Sequence, residues 1–308
     1  HDVTVFEKDA NPGGMLRYGI PDFKLEKRII DRRIGLMEEE GVKFKAGVKI
    51  GEDVKAARIL TDFDALCLCI GSRTPRDLDV PGRELDGIHF AMDYLSQQNK
   101  IVARENVEED LIDAKGKKVV VIGGGDTGSD CVGTAHRQGA ACVVQVELMP
   151  KPPECRSPDN PWPTYPMLFK TSSSHEEGGE RLWQVMTKEF AGKDCVEKLR
   201  CVEVEFIDEQ ENGCPVLSEV EGSDFEVPAD LVILALGFTR PRQDLVEKLG
   251  LKTDERGNIH AGEDGASSME KVYAAGDARR GASLVVWAID EGRRVAEKIN
   301  QDLEKIKK

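Results

Sequence analysis

The sequence predicts an α/β fold, and three stretches of the chain support that prediction. In each stretch a short run of β-favouring apolar residues ends in a glycine turn or an acidic residue. The stretches cover residues 2–14, 117–147 and 272–300. Buried strands that alternate with helices build parallel sheets. We therefore expect two Rossmann-like domains that bind dinucleotides, which also suits a length of 308 residues, too long for one ordinary core.

The stretch from Lys117 to Gly128 gives the strongest signal. Four β-favouring apolar residues come directly before three glycines with the spacing G-x-G-x-x-G, and a helix is predicted from Ser129 to Gln138. A strand, turn and helix of this kind form a phosphate-binding corner, because the helix N-terminus offers free N–H groups and the positive end of a dipole. The candidate cofactor-binding residues of this corner are Gly123, Gly125, Asp126, Thr127 and Gly128.

Each glycine of the motif has its own expected role. Gly123 allows the tight turn, Gly125 lets a pyrophosphate approach the backbone, and Gly128 lets the helix and the strand pack closely. A glycine turn that binds no ligand is the alternative that the pattern leaves open.

Glu147 is the candidate selector of the coenzyme. It follows a predicted strand at residues 141–146 and stands nineteen positions after Gly128, where an acidic residue commonly meets the adenosine ribose. A carboxylate there accepts hydrogen bonds from both ribose hydroxyls of NADH and repels the 2′-phosphate of NADPH. We therefore expect a preference for NADH, with Lys151 and Arg137 as the alternative partners of a 2′-phosphate.

The N-terminal stretch predicts part of a second nucleotide-binding domain. The chain begins with His1, so a preceding N-terminal portion is expected, and residues 2–7 predict a strand with Glu7 at its end, placed for a ribose. An ordinary surface acid is the alternative for Glu7. Gly13 and Gly14 follow in a turn where both are free to adopt positive φ.

The C-terminal stretch predicts a strand, a turn and a helix that suit a flavin. Residues 272–275 form the predicted strand, Gly276 and Asp277 the turn, and residues 283–300 the helix. An aspartate at this point can bind the ribityl hydroxyls or the phosphate-linked waters of a flavin nucleotide, and the helix N-terminus can stabilise negative charge on a reduced ring. A plain Gly-Asp turn is the alternative.

The segments between these stretches give weaker signals. Gly19 and Pro21 predict a loop over residues 15–24, and clustered prolines predict irregular structure over residues 149–166. The remaining predictions are helices at residues 25–40 and 88–97, strands at residues 42–48, 64–70, 202–207 and 231–236, and a loop at residues 171–179.

Composition excludes several classes of protein. A net charge of −14 argues against nucleic acid or an anionic membrane as partner, and it suits a soluble enzyme or a subunit that docks on a basic surface. We expect neither a membrane span nor a signal peptide, and a cytoplasmic protein that could form homo-oligomers. The eight cysteines show no C-x-x-C spacing, so no metal site is expected. Four of them lie in apolar runs and are expected to be buried: Cys67, Cys69, Cys131 and Cys142.

With these residues in view, the chain resembles the small (β) subunit of glutamate synthase, within a wider group of flavoprotein reductases that have two dinucleotide domains. The resemblance spans nearly all of residues 1–298. It is carried by G-G-M-L-R-Y-G-I-P-D-F-K-L at 13–25, G-G-G-D-T-G at 123–128, D-C-V-G-T at 130–134, E-L-M-P-K-P-P at 147–153, N-P-W-P at 160–163, A-A-G-D at 274–277 and R-R-G-A-S-L-V-V-W-A-I at 279–289.

The resemblance implies a split FAD domain, residues 1–95 and 240–308, with an NAD(P)H domain at residues 96–239 inserted into it. The chain would cross between the domains at Gly71 and Gly237. In the family, an N-terminal domain carries iron–sulfur clusters and is followed by the first glycine motif for FAD, and neither is present here. The positions that match flavin-facing residues of the family are Glu7, Gly13, Gly14, Leu16, Arg17, Gly276, Asp277, Ser283, Leu284 and Val285.

The chemistry that the resemblance implies is hydride transfer from NAD(P)H to FAD. Electrons would pass on to the glutamate synthase large subunit, which makes glutamate from glutamine and 2-oxoglutarate. Hydride transfer needs stacked rings rather than a protein acid or base, so we name no catalytic residue. Two alternatives stay open: a related reductase that serves another acceptor, and a nucleotide-binding module without flavin activity.

Overall fold

The computed structural model describes residues 1–107, 110–158, 160–162, 168–208 and 215–306. The strands are β1 Thr4–Phe6, β2 Lys43–Lys45, β3 Leu66–Leu68, β4 Thr74–Pro75, β5 Ile88–Phe90, β6 Lys118–Ile122, β7 Cys142–Glu147, β8 Glu180–Trp183, β9 Val185–Gly192, β10 Val196–Asp208, β11 Pro215–Glu219, β12 Phe225–Pro228, β13 Leu231–Leu234, β14 Phe238–Arg240 and β15 Val272–Ala274. The helices are α1 Gly14–Tyr18, α2 Lys27–Glu39, α3 Ala56–Asp62, α4 Ala91–Val102, α5 Asp126–Gln138, α6 Ser173–Glu176, α7 Gln243–Lys248, α8 Asp277–Arg280 and α9 Val285–Ile306.

The chain forms two compact units. The terminal unit contains residues 1–13, 31–76 and 237 onward, and the central unit contains residues 14–30 and 77–236. Most of the central unit is thus a single insertion into the terminal unit along the chain.

The central unit is built on a five-stranded parallel sheet with the strand order β5-β13-β6-β7-β8. Its middle strand, β6, is fully buried at Val119, Val120 and Val121, which confirms the prediction of a buried strand in a parallel sheet. Side chains alternate between the two faces, so Val119 and Val121 pack in the cluster that includes residues of α4 and α5. Val120 packs in the cluster that includes residues of the antiparallel sheet β9–β12.

Three secondary-structure predictions in the central unit were wrong: the loops at residues 15–24 and 171–179 and the start of the helix at residues 88–97. In each case the sequence did not indicate a short helix or strand that the structure contains. Residues 14–18 form helix α1, which ends just before the helix breaker Gly19. Residues 88–90 form strand β5 beside β13, so helix α4 begins only at Ala91. Residues 173–176 form the short helix α6, stabilised by a capping box between Ser172 and His175.

The described residues of the terminal unit form three separate strand pairs. Strands β1 and β2 are parallel, β3 and β15 are parallel, and β4 and β14 are antiparallel. Its main core joins apolar side chains of β3, β15 and α7. No helix in the described part of the chain is long and apolar enough to cross a membrane.

The predicted burial of the cysteines was correct for Cys131 and wrong for Cys67, Cys69 and Cys142, which are exposed. Cys67 and Cys69 lie two residues apart, on or next to the short strand β3, with their sulfur atoms 3.6 Å apart. A run of apolar residues predicts a strand but not which of its faces is covered, and here the odd-numbered positions 67 and 69 are open. Among the described residues, no cluster of side chains is suited to hold a metal ion.

Candidate functional site

The glycine turn after β6 has the geometry that requires glycine at its first and last positions. Gly123 has a φ of 122°, and a β-carbon there would lie 2.3 Å from the carbonyl oxygen of Ala235. A β-carbon on Gly128 would lie 2.1 Å from the carbonyl oxygen of Gly123. Any larger side chain at either position would therefore push the turn away from the sheet.

Gly125 and the start of α5 are open to solvent. A β-carbon on Gly125 would meet no atom within 4 Å, and Gly125 and Asp126 are both exposed. The helix begins at Asp126 with Gly125 as its N-cap, so no side chain caps it. The first N–H groups of the helix lack helical acceptors, and together with the helix dipole they form a place where an anion can bind.

The Glu147 carboxylate is held beside this turn by two backbone N–H groups. Glu147 is the last residue of β7 and is half-buried. Its Oε2 accepts a hydrogen bond from the N–H of Gly124 at 2.5 Å, and its Oε1 accepts one from the N–H of Met149 at 2.9 Å. A β-carbon on Gly124 would lie 2.6 Å from Oε2, so this contact also requires glycine.

Gln145 holds the other side of the same peptide unit, a role that sequence reasoning missed. Its side chain is only 3% exposed, and its Nε2 donates to the carbonyl oxygen of Gly123 at 2.8 Å. The C=O of Gly123 and the N–H of Gly124 belong to one peptide bond, so Gln145 and Glu147 fix both of its polar groups. A polar residue inside the apolar run C-V-V-Q-V was the available signal.

The basic residues named as phosphate partners have different surroundings. Arg137 lies in the last turn of α5, about 15–20 Å along the helix from Gly125. It stacks 4.0 Å from the ring centre of Phe23 and pairs with Glu177 at 2.6 Å. It is therefore at the wrong end of α5 to reach a ribose beside the glycine turn.

Lys151 belongs to a cluster of cations and aromatic rings past the end of β7. Its Nζ lies 4.4 Å from the centre of the Phe169 ring. The guanidinium of Arg181 lies 4.6 Å from the same ring and 5.1 Å from that of Trp183. Since Trp183 is the register partner of Glu147, this cluster lies at the same edge of the sheet as the glycine turn.

In the terminal unit, the predicted Gly-Asp turn is held by a carboxylate that sequence reasoning also missed. Gly276 has a φ of 67°, and its N–H donates to Oε2 of Glu291 at 2.6 Å. Glu291 is completely buried, and its Oε1 pairs with Arg279 at 2.5 Å and with Arg280 at 3.5 Å. Burial acts to raise the pKa of Glu291, but the hydrogen bonds from Arg279 and Gly276 outweigh it and the pKa is lowered.

Asp277 is the first residue of the short helix α8 and is half-buried. The backbone N–H and the hydroxyl of Ser283 both donate to its Oδ1, at 3.2 Å and 2.9 Å. Burial raises the pKa of Asp277, and the Ser283 hydrogen bonds oppose this. Leu284 and Val285 follow with exposed side chains, at the start of α9.

The other predicted flavin residues are divided between the two units. In the terminal unit, the Oε1 of Glu7 accepts a hydrogen bond from the N–H of Asp9 at 3.0 Å. Gly13, Gly71 and Gly237 all have positive φ there, at 134°, 66° and 81°. The three that belong to the central unit are Gly14, Leu16 and Arg17, all in helix α1.

Comparison with known proteins places these features in context. A model of the family described as pyridine nucleotide-disulphide oxidoreductase matches residues 8–292. The glutamate synthase [NADPH] small chain of Mycobacterium tuberculosis is 50% identical over 98% of this chain and 62% of its own length. The glutamate synthase [NADH] of Schizosaccharomyces pombe is 41% identical over 97% of this chain and 15% of its own length. A putative glutamate synthase [NADPH] small chain of Cereibacter sphaeroides is 38% identical over 96% of this chain and 70% of its own length.

Two solved structures show the same fold at low sequence identity. Mycobacterium tuberculosis FprA in complex with NADPH superposes with a TM-score of 0.78 at 18% identity, over 99% of this chain and 78% of FprA. Thioredoxin reductase of T. acidophilum gives a TM-score of 0.63 at 17% identity, over 98% of each chain. These structures confirm the predicted α/β fold of Rossmann-like domains.

Proposed function

The chain belongs to the pyridine nucleotide-disulphide oxidoreductase family and, within it, groups with the glutamate synthase small chains, and from this premise we propose that it is an NAD(P)H-dependent oxidoreductase. In this proposal the central unit binds the nicotinamide dinucleotide at the glycine turn. The terminal unit contributes to binding FAD, which when bound accepts the hydride that the nicotinamide donates.

The open backbone at Gly125 is the observation that carries the proposal. It stands at the start of α5, where free N–H groups and the helix dipole favour a pyrophosphate. Gly123 and Gly128 are sterically confined on either side, so the turn presents its backbone to solvent in one fixed conformation. The residues proposed to contact the dinucleotide are Gly123, Gly125, Asp126, Thr127, Gly128 and Glu147.

We propose NADH as the preferred coenzyme, because Glu147 presents a fixed negative charge. Both of its oxygens are oriented by backbone N–H groups, so the carboxylate cannot swing away from a 2′-phosphate without losing two hydrogen bonds. The names of the relatives include both coenzymes, NADPH for Mycobacterium tuberculosis and NADH for Schizosaccharomyces pombe. Membership of the group therefore does not decide which coenzyme this chain prefers.

The FAD proposal fits the chemistry of the Gly276–Asp277 turn. A buried ion pair fixes the turn, and Asp277 offers a half-buried carboxylate that suits ligand hydroxyls. The terminal-unit residues proposed for FAD are Glu7, Gly13, Gly71, Gly237, Gly276, Asp277, Ser283, Leu284 and Val285, and Gly14, Leu16 and Arg17 are added by resemblance. The protein's part is to orient the ligands and exclude water; no side chain needs to move a proton in the hydride step.

The wider reaction is a proposal for the whole protein. The chain spans about 62% of the length of the Mycobacterium tuberculosis relative. We propose that electrons pass to a glutamate synthase large subunit, for the synthesis of glutamate from glutamine and 2-oxoglutarate in the cytoplasm. We also propose that the whole protein carries iron–sulfur clusters in an N-terminal domain and that it forms a homo-oligomer.

Isothermal calorimetry of the purified chain titrated with NADH and with NADPH measures the two dissociation constants and tests the nucleotide site. We expect saturable binding at one site per chain, and no binding of either nucleotide at millimolar concentration would contradict the proposal. A visible absorption spectrum after incubation with FAD tests the second site. If the chain binds nucleotide but retains no flavin, the result would favour the alternative that this chain is a nucleotide-binding module without flavin activity.

A further inference from the structure

A line of hydrogen-bonded side chains continues from the glycine turn into the central unit. Gln145, which donates to the carbonyl of Gly123, has its Oε1 at 2.7 Å from Nε2 of His175. The Nδ1 of His175 lies 3.0 Å from the hydroxyl of Ser172. That hydroxyl lies 2.6 Å from the hydroxyl of Ser129, one residue beyond the glycine motif. The turn is thus connected at both ends to one polar line.

The chemistry of these groups fixes the direction of each hydrogen bond. The carbonyl of Gly123 can only accept, so Gln145 must direct its amide nitrogen to it and its amide oxygen to His175. His175 must then carry its proton on Nε2, which leaves Nδ1 as an acceptor for the Ser172 hydroxyl. The line therefore requires a neutral His175 in one tautomer.

The far end of the line is anchored by an ion pair. Lys24 donates to the hydroxyl of Ser129 at 2.9 Å and pairs with Asp130 at 2.6 Å, and Asp130 is buried. An ammonium group can only donate, so Ser129 accepts from Lys24 and directs its own proton to Ser172. Every donor in the line is thereby assigned.

The surroundings of His175 keep it neutral. Burial is the main cause, and three cations or potential cations face it: Arg181 on β8, Lys24 in the loop before α2, and His136 on α5. Together they lower the pKa of His175 to about 4, far below neutral pH. The protonation state that the line requires is therefore the one present at neutral pH.

We propose that His175 is a positioning residue for dinucleotide binding, acting through Gln145. By fixing the amide of Gln145, it fixes the peptide unit between Gly123 and Gly124, and with it the backbone on which the pyrophosphate is held. Glu147 binds the N–H of the same peptide unit, so the carboxylate for the ribose is positioned as well. This inference rests on the proposed function, since it assigns a role in the same nucleotide site.

Two substitutions of His175 separate this role from helix capping. His175→Gln keeps an N–H donor that reaches Gln145, and its amide oxygen can still accept at Ser172 in the manner of a capping box. His175→Asn also keeps an acceptor for Ser172, and hence the capping box of α6, but is too short to reach Gln145. We expect His175→Asn to raise the dissociation constant for NADH or NADPH about fivefold to tenfold, the effect of one lost hydrogen bond. We expect His175→Gln to bind within about twofold of the wild type, because the donor is retained.

Gln138→Leu is a matched control. Gln138 is a glutamine of the same unit that bonds to Tyr94, Ala114 and Gln98 rather than to the glycine turn. Its loss should lower stability while the dissociation constant stays unchanged. Equal affinities of His175→Asn and His175→Gln would overturn the inference, because the role would then be structural only.

Amide hydrogen exchange at Gly124 gives a second readout that needs no nucleotide. Its N–H should exchange faster in His175→Asn than in the wild type or in Gln138→Leu, because the clamped peptide unit is released. If the wild type binds neither nucleotide, the proposed function fails, but the Gly124 exchange still tests the clamp. Unchanged exchange in His175→Asn overturns this inference even if both nucleotides bind.

Discussion

Glu291 is completely buried, and its carboxylate accepts the backbone N–H of Gly276 at 2.6 Å. The contact joins helix α9 to the turn that follows β15, and the side chains of Arg279 and Arg280 offset the negative charge. A buried carboxylate is retained only where hydrogen bonds and opposite charge offset its desolvation. The conformation of the predicted flavin turn therefore depends on one side chain fifteen residues further along the chain.

We expect Glu291→Ala to lower the free energy of unfolding by about 3 kcal/mol, because it leaves Arg279 without its buried partner. Denaturation in urea measures this. Asp290→Asn is the control on the same helix; its exposed pair with Arg294 should contribute less than about 1 kcal/mol. Equal effects of the two substitutions would show that the buried pair does not stabilise the turn.

The same residue predicts a dependence of stability on pH. The pKa of Glu291 is lowered from 4.5 in the folded chain, so the unfolded chain binds its proton first as the pH falls. The contribution of Glu291 to stability is therefore fully present above pH 4.5 and decreases as the pH falls through the folded-state pKa. The difference in unfolding free energy between the wild type and Glu291→Gln, measured by urea denaturation between pH 3 and 7, should be constant above pH 4.5 and narrow below it. A constant difference across the range would contradict this.

Gly125→Val should abolish dinucleotide binding and leave the fold intact. The β-carbon meets no neighbouring atom and the φ of −77° suits any residue, so the fold has no reason to change. The side chain would nonetheless occupy the space through which a pyrophosphate reaches the helix N-terminus. Calorimetry measures the affinity and circular dichroism the fold. Gly123→Val is the contrasting variant, since its clash with Ala235 should disrupt the unit itself.

Glu147→Ala should shift the coenzyme preference towards NADPH. Removal of a like charge beside a 2′-phosphate is worth on the order of 1–3 kcal/mol, or about tenfold to a hundredfold in the ratio of dissociation constants. The comparison requires both nucleotides with the wild type, Glu147→Ala and Glu147→Gln. The Gln variant removes the charge but keeps an acceptor for the N–H of Gly124. It therefore separates the effect of the negative charge on coenzyme affinity from the effect of a disordered glycine turn. If the wild type already binds NADPH more tightly than NADH, or if the substitutions leave the ratio of the two dissociation constants unchanged, Glu147 does not determine the coenzyme preference.

Asp277→Ala should reduce the FAD retained by the chain, because it removes the carboxylate proposed to bind flavin hydroxyls. The ratio of flavin to protein absorbance after incubation with FAD and desalting measures the effect. Asp290→Asn again serves as control, with unchanged flavin content. Retention equal to the wild type in Asp277→Ala would remove Asp277 from the proposed site.

Local signals were enough to predict β6, α5 and β7, because a strand, a glycine turn and a helix follow one another within thirty residues. They failed for α1, whose five residues are too few to show a helical period before Gly19. They also failed for Gln145 and Glu291, because these side chains act on backbone groups that are 22 and 15 residues away and that only the folded chain brings near. The specific contacts with FAD and NAD(P)H stay predictions, as does the domain assignment.

The double clamp on the peptide between Gly123 and Gly124 has a consequence for the redesign of coenzyme choice. Exchanging Glu147 for an apolar or basic residue to admit a 2′-phosphate, as its proposed role in coenzyme choice suggests, also deprives the Gly124 amide of its acceptor. Such a substitution would therefore alter selectivity and loosen the loop together. A switch made in this way needs a compensating residue that accepts from that amide without carrying negative charge, whereas Glu147→Gln keeps an acceptor at the position itself. On the proposed role of Glu147, coenzyme specificity and loop order are therefore coupled at position 147, and a lysine or arginine introduced there would require a second substitution that restores an acceptor for the Gly124 amide.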